Sequence, residues 1–231
     1  MGIYGGLMII SLVFAGIGWV VQRKLRSKFK QYGSIPFSKN MTGAQVAKAM
    51  LDHYGITDVQ ILQGQGMLTD HYHPLKKHIV LSPAIYGGRS IMAAAVAAHE
   101  CGHAVQHANA YVWLTFRSAI VPIVQISAKI QQYFFMFAFA LIASIGEEIP
   151  LLIAMAAFGV TALFSTITLP VEFDASRRAL VWLDESGTLS ANEYDGAKDA
   201  LFWAAMTYVT AALAAIVQLV YILLIFMGNR R

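Results

Sequence analysis

The chain has 231 residues, of which 57% are hydrophobic and 13% are charged, and its formal net charge is +4. Soluble domains carry about 25% charged residues, so this composition indicates a membrane protein and excludes a disordered chain. The single cysteine excludes a disulfide framework and the zinc fingers that need several cysteines. We do not interpret the basic excess as a nucleic-acid surface, because its distribution along the chain follows the predicted membrane topology.

A transmembrane anchor is predicted at the N-terminus. Gly2–Val21 carries no charged residue and is long enough to cross a bilayer, which takes about 20 apolar residues. A cleaved signal peptide has basic residues before its apolar run, whereas here the basic residues follow it (Arg23, Lys24, Arg26, Lys28 and Lys30). We therefore predict a retained anchor over 1–22, with the N-terminus outside and residue 23 onward in the cytoplasm.

The more polar segment over 23–118 is predicted to be a cytoplasmic part that contains short helices and strands. The pattern Thr42–Gln45 is typical of a capping box and predicts a helix that ends at Gly55. Val59–Leu62 and His78–Leu81 are apolar runs beside turn residues, which predicts two short strands.

A membrane hairpin and a last span are predicted in the remaining chain. Over 119–170, two apolar stretches flank the turn Gly146–Pro150, which predicts a transmembrane hairpin. A polar cytoplasmic insert follows over 171–199, and 200–231 is predicted to be a C-terminal transmembrane helix. This arrangement gives about four transmembrane helices.

The basic residues agree with this topology. Of the 17 Lys and Arg residues, 14 lie in the two segments predicted to be cytoplasmic. Lys129 lies within a span, and only Arg230 and Arg231 fall on the other side. The net positive charge is therefore explained by the bias of basic residues toward the cytoplasm.

A metal-binding motif of the pattern HExxH, His99–His103, lies on the helix that Ser90 is predicted to cap, from Ile91 to about Asn109. His99 and His103 are four residues apart, so both imidazoles lie on one helix face and can bind one tetrahedral Zn²⁺. Glu100 is predicted to act as the catalytic base that takes a proton from a zinc-bound water. The motif predicts a zinc peptidase.

Two histidines and a water leave one zinc ligand to be found. His107 lies one turn beyond His103, but about 6 Å further along the helix axis, which is awkward for a single ion. Glu172 follows Pro170, a residue that favours a helix start, and lies in the second cytoplasmic insert. The residues alone favour Glu172 and leave His107 as an alternative.

Four segments of the sequence carry a resemblance to known families: Asp70–Pro74, Ile79–Ser82, Ala97–Gln106 and Pro170–Ser176. In these segments the chain resembles the YugP-type neutral zinc metallopeptidases of bacterial membranes and, more distantly, the membrane gluzincins of the HtpX and Ste24 kind. In the gluzincins, a second motif after the membrane hairpin has the form Glu-aromatic-x-Ala-Asp. The resemblance implies that Glu172 is the third zinc ligand.

One position departs from the family pattern. The aspartate that orients a zinc-bound histidine in these families is replaced by Ser176. Such partners of the ligands set their tautomer and orientation. Two alternatives stay open: Ser176 performs this role more weakly, or Asp174 performs it from another angle.

The resemblance also implies a substrate strand that pairs with an edge strand, expected to be Ile79–Leu81. A zinc peptidase needs a hydrogen-bond donor for the oxyanion, and that role stays unassigned among several candidates. The candidates are His71, Tyr72, His73, Arg177 and Arg178.

Together these patterns predict a mainly α integral membrane protein with a cytoplasmic, gluzincin-like α+β zinc-peptidase module. We expect one Zn²⁺ per chain, held by His99, His103 and Glu172, with Glu100 as catalytic base. The expected partners are a peptide or protein substrate and the lipid bilayer, with no nucleic acid. The expected location is the cell membrane, with the active site on the cytoplasmic side. The alternatives are a non-catalytic zinc-binding scaffold or sensor and a transporter. The predicted spans carry no acidic residue, which argues against the transporter.

Overall fold

A computed structural model describes residues 3–145 and 148–228. Two residues of the predicted hairpin turn, Gly146 and Glu147, lie outside the described residues, as do the terminal Arg230 and Arg231. Helices dominate the fold and a small sheet accompanies them. In chain order the elements are α1 Ile3–Gly33, α2 Gly43–His53, β1 Gln60–Gln63, β2 His71–His73, β3 His78–Leu81, α3 Pro83–Tyr86, α4 Ile91–Ala108, α5 Val112–Ile145, α6 Glu148–Glu185 and α7 Ala191–Gly228.

Several of these helices are long and apolar enough to cross a membrane. Three helices have the length and the apolar composition of a membrane span: Gly5–Gly33, Ile149–Glu185 and Ala191–Gly228. A fourth is reached if α4 and the first part of α5, which meet at 95°, are counted together. Among the described residues the protein therefore has three or four candidate spans, in agreement with a membrane protein.

The chain divides into two compact units. The membrane unit is drawn from the described parts of Met1–Val20, Phe116–Leu169 and Thr207–Arg231, and the site unit from Val21–Thr115 and Pro170–Met206. The long helices α1, α5, α6 and α7 each contribute residues to both units.

The membrane unit contains only helices among its described residues. Its buried core is small and includes Leu7, Phe158 and Ile222. Large apolar side chains cover its outside; Leu12, for example, is 69% exposed. Helices that satisfy their own backbone and present apolar side chains outward suit a lipid environment.

The site unit has a larger core, built around α4. Fourteen of the 18 residues of α4 are buried, and α2 packs along it. The capping box of Thr42 with Gln45 is present, and Ser90 caps α4 by accepting a hydrogen bond from the Ala93 N–H, so both helix-start predictions are confirmed. The helix after Thr42 ends at His53, two residues before Gly55.

The sheet of the site unit has the strand order β1-β3-β2. β1 pairs with β3 in parallel, and β2 pairs with β3 antiparallel. The expectation that Ile79–Leu81 is an edge strand is therefore wrong, because β3 is hydrogen-bonded on both sides. The short strand β2 takes the edge position instead, and it is the strand with most contacts to α4.

Pro170 also differs from its predicted role. It was expected to start a helix, but it lies inside α6, which runs without a break from Glu148 to Glu185. The missing proline N–H leaves a carbonyl one turn earlier without its usual donor, a defect that long apolar helices tolerate. Glu172 therefore lies in the middle of a continuous helix rather than in its first turn.

Candidate metal centre

The candidate site is formed where α4 and α6 approach each other closely within the site unit. A Cβ atom added to Gly102 would lie 2.4 Å from the carbonyl oxygen of Ala175. Only a glycine permits this contact between the two backbones. The glycine inside the HExxH motif thus allows α6 to bring Glu172 to the two histidines of α4.

His99, His103 and Glu172 converge on one point. The Nε2 atoms of His99 and His103 lie 3.4 Å and 3.7 Å from Oε2 of Glu172, and the three ligand atoms lie within 4.8 Å of one another. Glu172 is 3% exposed and His103 is 7% exposed. Glu172 therefore meets the two histidines at one point, although it lies about 70 positions after them in the chain.

These distances fit a zinc ion. Bonds of about 2.1 Å at tetrahedral angles place two ligand atoms about 3.4 Å apart. Two imidazoles and a carboxylate are also a usual donor set for zinc in hydrolases, which keep a fourth position for water. A positive charge at this point would compensate the buried carboxylate of Glu172, and a divalent cation would supply that charge.

Glu100 is buried beside this pocket on α4. Burial raises its pKa to about 7, while the charge of His99 acts in the opposite direction. The backbone of Tyr72 on β2 also acts to lower this pKa. The pKa of Glu100 therefore lies near neutrality, as proton transfer requires.

His107 is not part of the convergent group. Its side chain is exposed, and its Nδ1 lies 2.7 Å from the hydroxyl of Tyr72. Burial raises the pKa of Tyr72 to about 12, so the phenol stays protonated. The structure places His107 one turn away from the ligand group and gives it a partner on β2.

The two residues considered for orienting a histidine have different surroundings. Ser176 reaches His99: its Oγ lies 3.1 Å from Nδ1 of the ring. Asp174 does not touch either histidine; it accepts hydrogen bonds from Arg177, Arg178 and Gln106. Sequence reasoning missed Gln106, although its position one turn after His103 was a signal that it could reach this ring.

The oxyanion candidates are also separated by the structure. Arg177 and Arg178 each form an ion pair with Asp174. His71 and His73 lie on the opposite face of β2 from Tyr72, because side chains alternate along a strand. Tyr72 is thus the candidate from β2 whose side chain contacts α4, through His107.

The chain matches a known protein family over nearly its whole length. The profile of the family described as "Putative neutral zinc metallopeptidase" matches residues 7–227. The chain belongs to this family. The match confirms the resemblance that the HExxH and Pro170–Ser176 segments indicated.

A relative within the family is a Bacillus subtilis (strain 168) protein named "Putative membrane protease YugP". The two sequences are 35% identical over 223 residues, which cover 96% of this chain and 97% of the relative. No solved structure matches the chain. The family name and the relative's name agree with the donor set of the site and with the apolar helices.

Proposed function

We propose that the protein is a membrane-bound zinc endopeptidase whose active site lies at the cytoplasmic face. One observation carries this proposal: the Nε2 atoms of His99 and His103 and a carboxylate oxygen of Glu172 converge in a buried pocket beside Glu100. Family membership supports the reaction class, and the basic segments that flank the spans support the orientation.

In this proposal His99, His103 and Glu172 hold the ion. Bound zinc lowers the pKa of a water molecule and polarises the carbonyl of the scissile peptide bond. Glu100 accepts the proton of the attacking water on its carboxylate and then donates it to the leaving amine.

The substrate is proposed to bind in an extended form along β2. This strand is an edge of the sheet, it contacts the HExxH helix, and the hydroxyl of its residue Tyr72 lies 2.7 Å from Nδ1 of His107 on that helix. An exposed edge offers main-chain hydrogen bonds to a peptide without reading its side chains. In this proposal β2 is the strand that pairs with the substrate, the role that the family resemblance implied for Ile79–Leu81.

The direct test of the reaction is Glu100→Gln. The amide keeps the size of the side chain but cannot accept the proton, so hydrolysis of fluorescein-labelled casein should fall about 10²–10⁴-fold. Zinc content, measured by mass spectrometry of the purified protein, should stay at the parent level. Unchanged turnover with full zinc content would remove Glu100 from the mechanism.

A further inference from the structure

The amide of Gln106 links the two helices that form the candidate metal centre. Gln106 lies on α4 and is fully buried. Its Nε2 lies 2.7 Å from the carbonyl oxygen of Val171 and 3.0 Å from Oδ2 of Asp174, both on α6. Its Oε1 lies 3.0 Å from Nδ1 of His103. Every polar atom of this side chain is therefore used.

The orientation of this amide is fixed by its partners. The carbonyl of Val171 can only accept a hydrogen bond, and so can the ionised carboxylate of Asp174. Asp174 stays ionised because Arg177 and Arg178 each donate to it at 2.6 Å. The NH₂ group must point at α6, since a flipped amide would place its oxygen against two other acceptors.

This orientation determines which nitrogen of His103 carries the proton. Oε1 of Gln106 can only accept, so Nδ1 of His103 must be the donor. A neutral imidazole with a proton on Nδ1 has its lone pair on Nε2. That is the atom that lies 3.7 Å from the Glu172 carboxylate, where a metal ion would be bound.

His99 has no such constraint. Its Nδ1 faces the hydroxyl of Ser176, which can either donate or accept. The two histidines therefore differ: one has a partner that selects its tautomer, and the other has a partner that accepts both tautomers. Among the described residues, the Asp174 carboxylate reaches Nδ1 of His103 only through Gln106, and no carboxylate contacts Nδ1 of His99.

We propose that Gln106 is a positioning residue that holds His103 in the Nδ1-protonated tautomer before any metal binds, and that Asp174 acts through Gln106. This inference rests on the proposed metal centre but not on peptidase activity. It assigns Asp174 to His103 rather than to His99, the histidine that contacts Ser176.

The first test is NMR of the full-length, metal-free protein in detergent micelles with ¹⁵N-labelled histidine rings, at a pH where the rings are neutral. The His103 signals, assigned by their loss in His103→Asn, should show a protonated Nδ1 and a bare Nε2. Gln106→Leu should remove this preference, whereas Gln131→Leu should keep it. Gln131 is a matched control, because it also donates to a helix carbonyl, that of Ala157, and both residues belong to the membrane unit. A bare Nδ1 in the parent would overturn the proposal without any variant.

The second test is zinc affinity, measured by competition with a fluorescent chelator. Loss of a partner that orients a ligand typically weakens metal binding about 10–100-fold, and we expect this range for Gln106→Leu and Asp174→Ala. Gln131→Leu should bind zinc like the parent. Parent-like affinity in both site variants would contradict the proposal. Weaker affinity with an unchanged His103 tautomer would also contradict it, because the loss would then have another cause. Neither the tautomer nor the zinc affinity depends on hydrolysis, so failure of this proposal can be distinguished from failure of the proposed peptidase activity.

Discussion

The membrane unit and the site unit of this chain use the same helices in different ways. In the membrane unit, the described residues form only helices, with a small core and apolar side chains outside, such as Leu12 and Leu224. In the site unit, α6 carries Glu172 and Asp174 on buried positions, and both are matched by partners on α4 or by arginines. The ionisable residues of the candidate site on α6 thus lie in the part of that helix that belongs to the site unit.

The proposed membrane orientation of the two units can be tested by labelling introduced cysteines. We expect Leu75→Cys, in the site unit, to be protected from an impermeant thiol reagent added outside intact cells, and Ile149→Cys, at the start of α6, to react. Both side chains are exposed, at 91% and 54%. The native Cys101 is buried and gives no background. The opposite labelling pattern would invert the proposed orientation.

Gly102 in the site unit and Gly16 in the membrane unit form a matched pair for testing the close contact between α4 and α6. Gly102→Val should destabilise the protein by about 1–3 kcal/mol or more, because the added carbons meet the backbone of Ala175, and it should weaken zinc binding by separating the two helices. Gly16→Val on α1 is the control, since among the described residues no heavy atom beyond its chain neighbours and the backbone of its own helix lies within 4 Å of its Cβ position. Thermal unfolding and zinc titration of both variants check this. Equal behaviour of the two variants would show that α4 and α6 do not need their close contact.

The two histidines allow a finer test within the site unit. Ser176→Asp places a carboxylate near Nδ1 of His99, which should orient this ring and tighten zinc binding about tenfold. A matched change away from the site is Ser190→Asp, at the start of α7. Chelator competition measures both affinities. A Ser176→Asp protein that binds zinc no better than the Ser190→Asp protein would show that His99 is already fully oriented by Ser176.

Local patterns in the sequence predicted much of this structure. The capping box at Thr42, the cap at Ser90 and the HExxH spacing depend on residues three or four positions apart, and each is found on the helix where it was expected. The strand predictions near Ile61 and Ile79 were also correct, because apolar runs between turn residues are a local signal.

Features that depend on distant residues could not be predicted in the same way. The pairing of β3 on both sides depends on β2, a strand of three residues with no apolar alternation. Pro170 gave the wrong helix start, because the apolar stretch on its N-terminal side carries α6 through it. Gln106 was missed because its partners on α6 are 65 and 68 positions away.

A zinc centre shared by α4 and α6 is tested most directly by measuring the zinc content and zinc affinity of the purified parent protein and of Glu172→Ala. The proposed site has ligands from two helices, so we predict one zinc per parent chain and a loss of affinity of more than about 100-fold in Glu172→Ala. Glu185→Ala controls for the loss of a carboxylate on the same helix, and His107→Ala for the loss of an imidazole on α4; both should bind zinc like the parent. If Glu172→Ala keeps the parent's affinity while His107→Ala loses zinc, the site is built from α4 alone, and a zinc centre shared by α4 and α6 is contradicted.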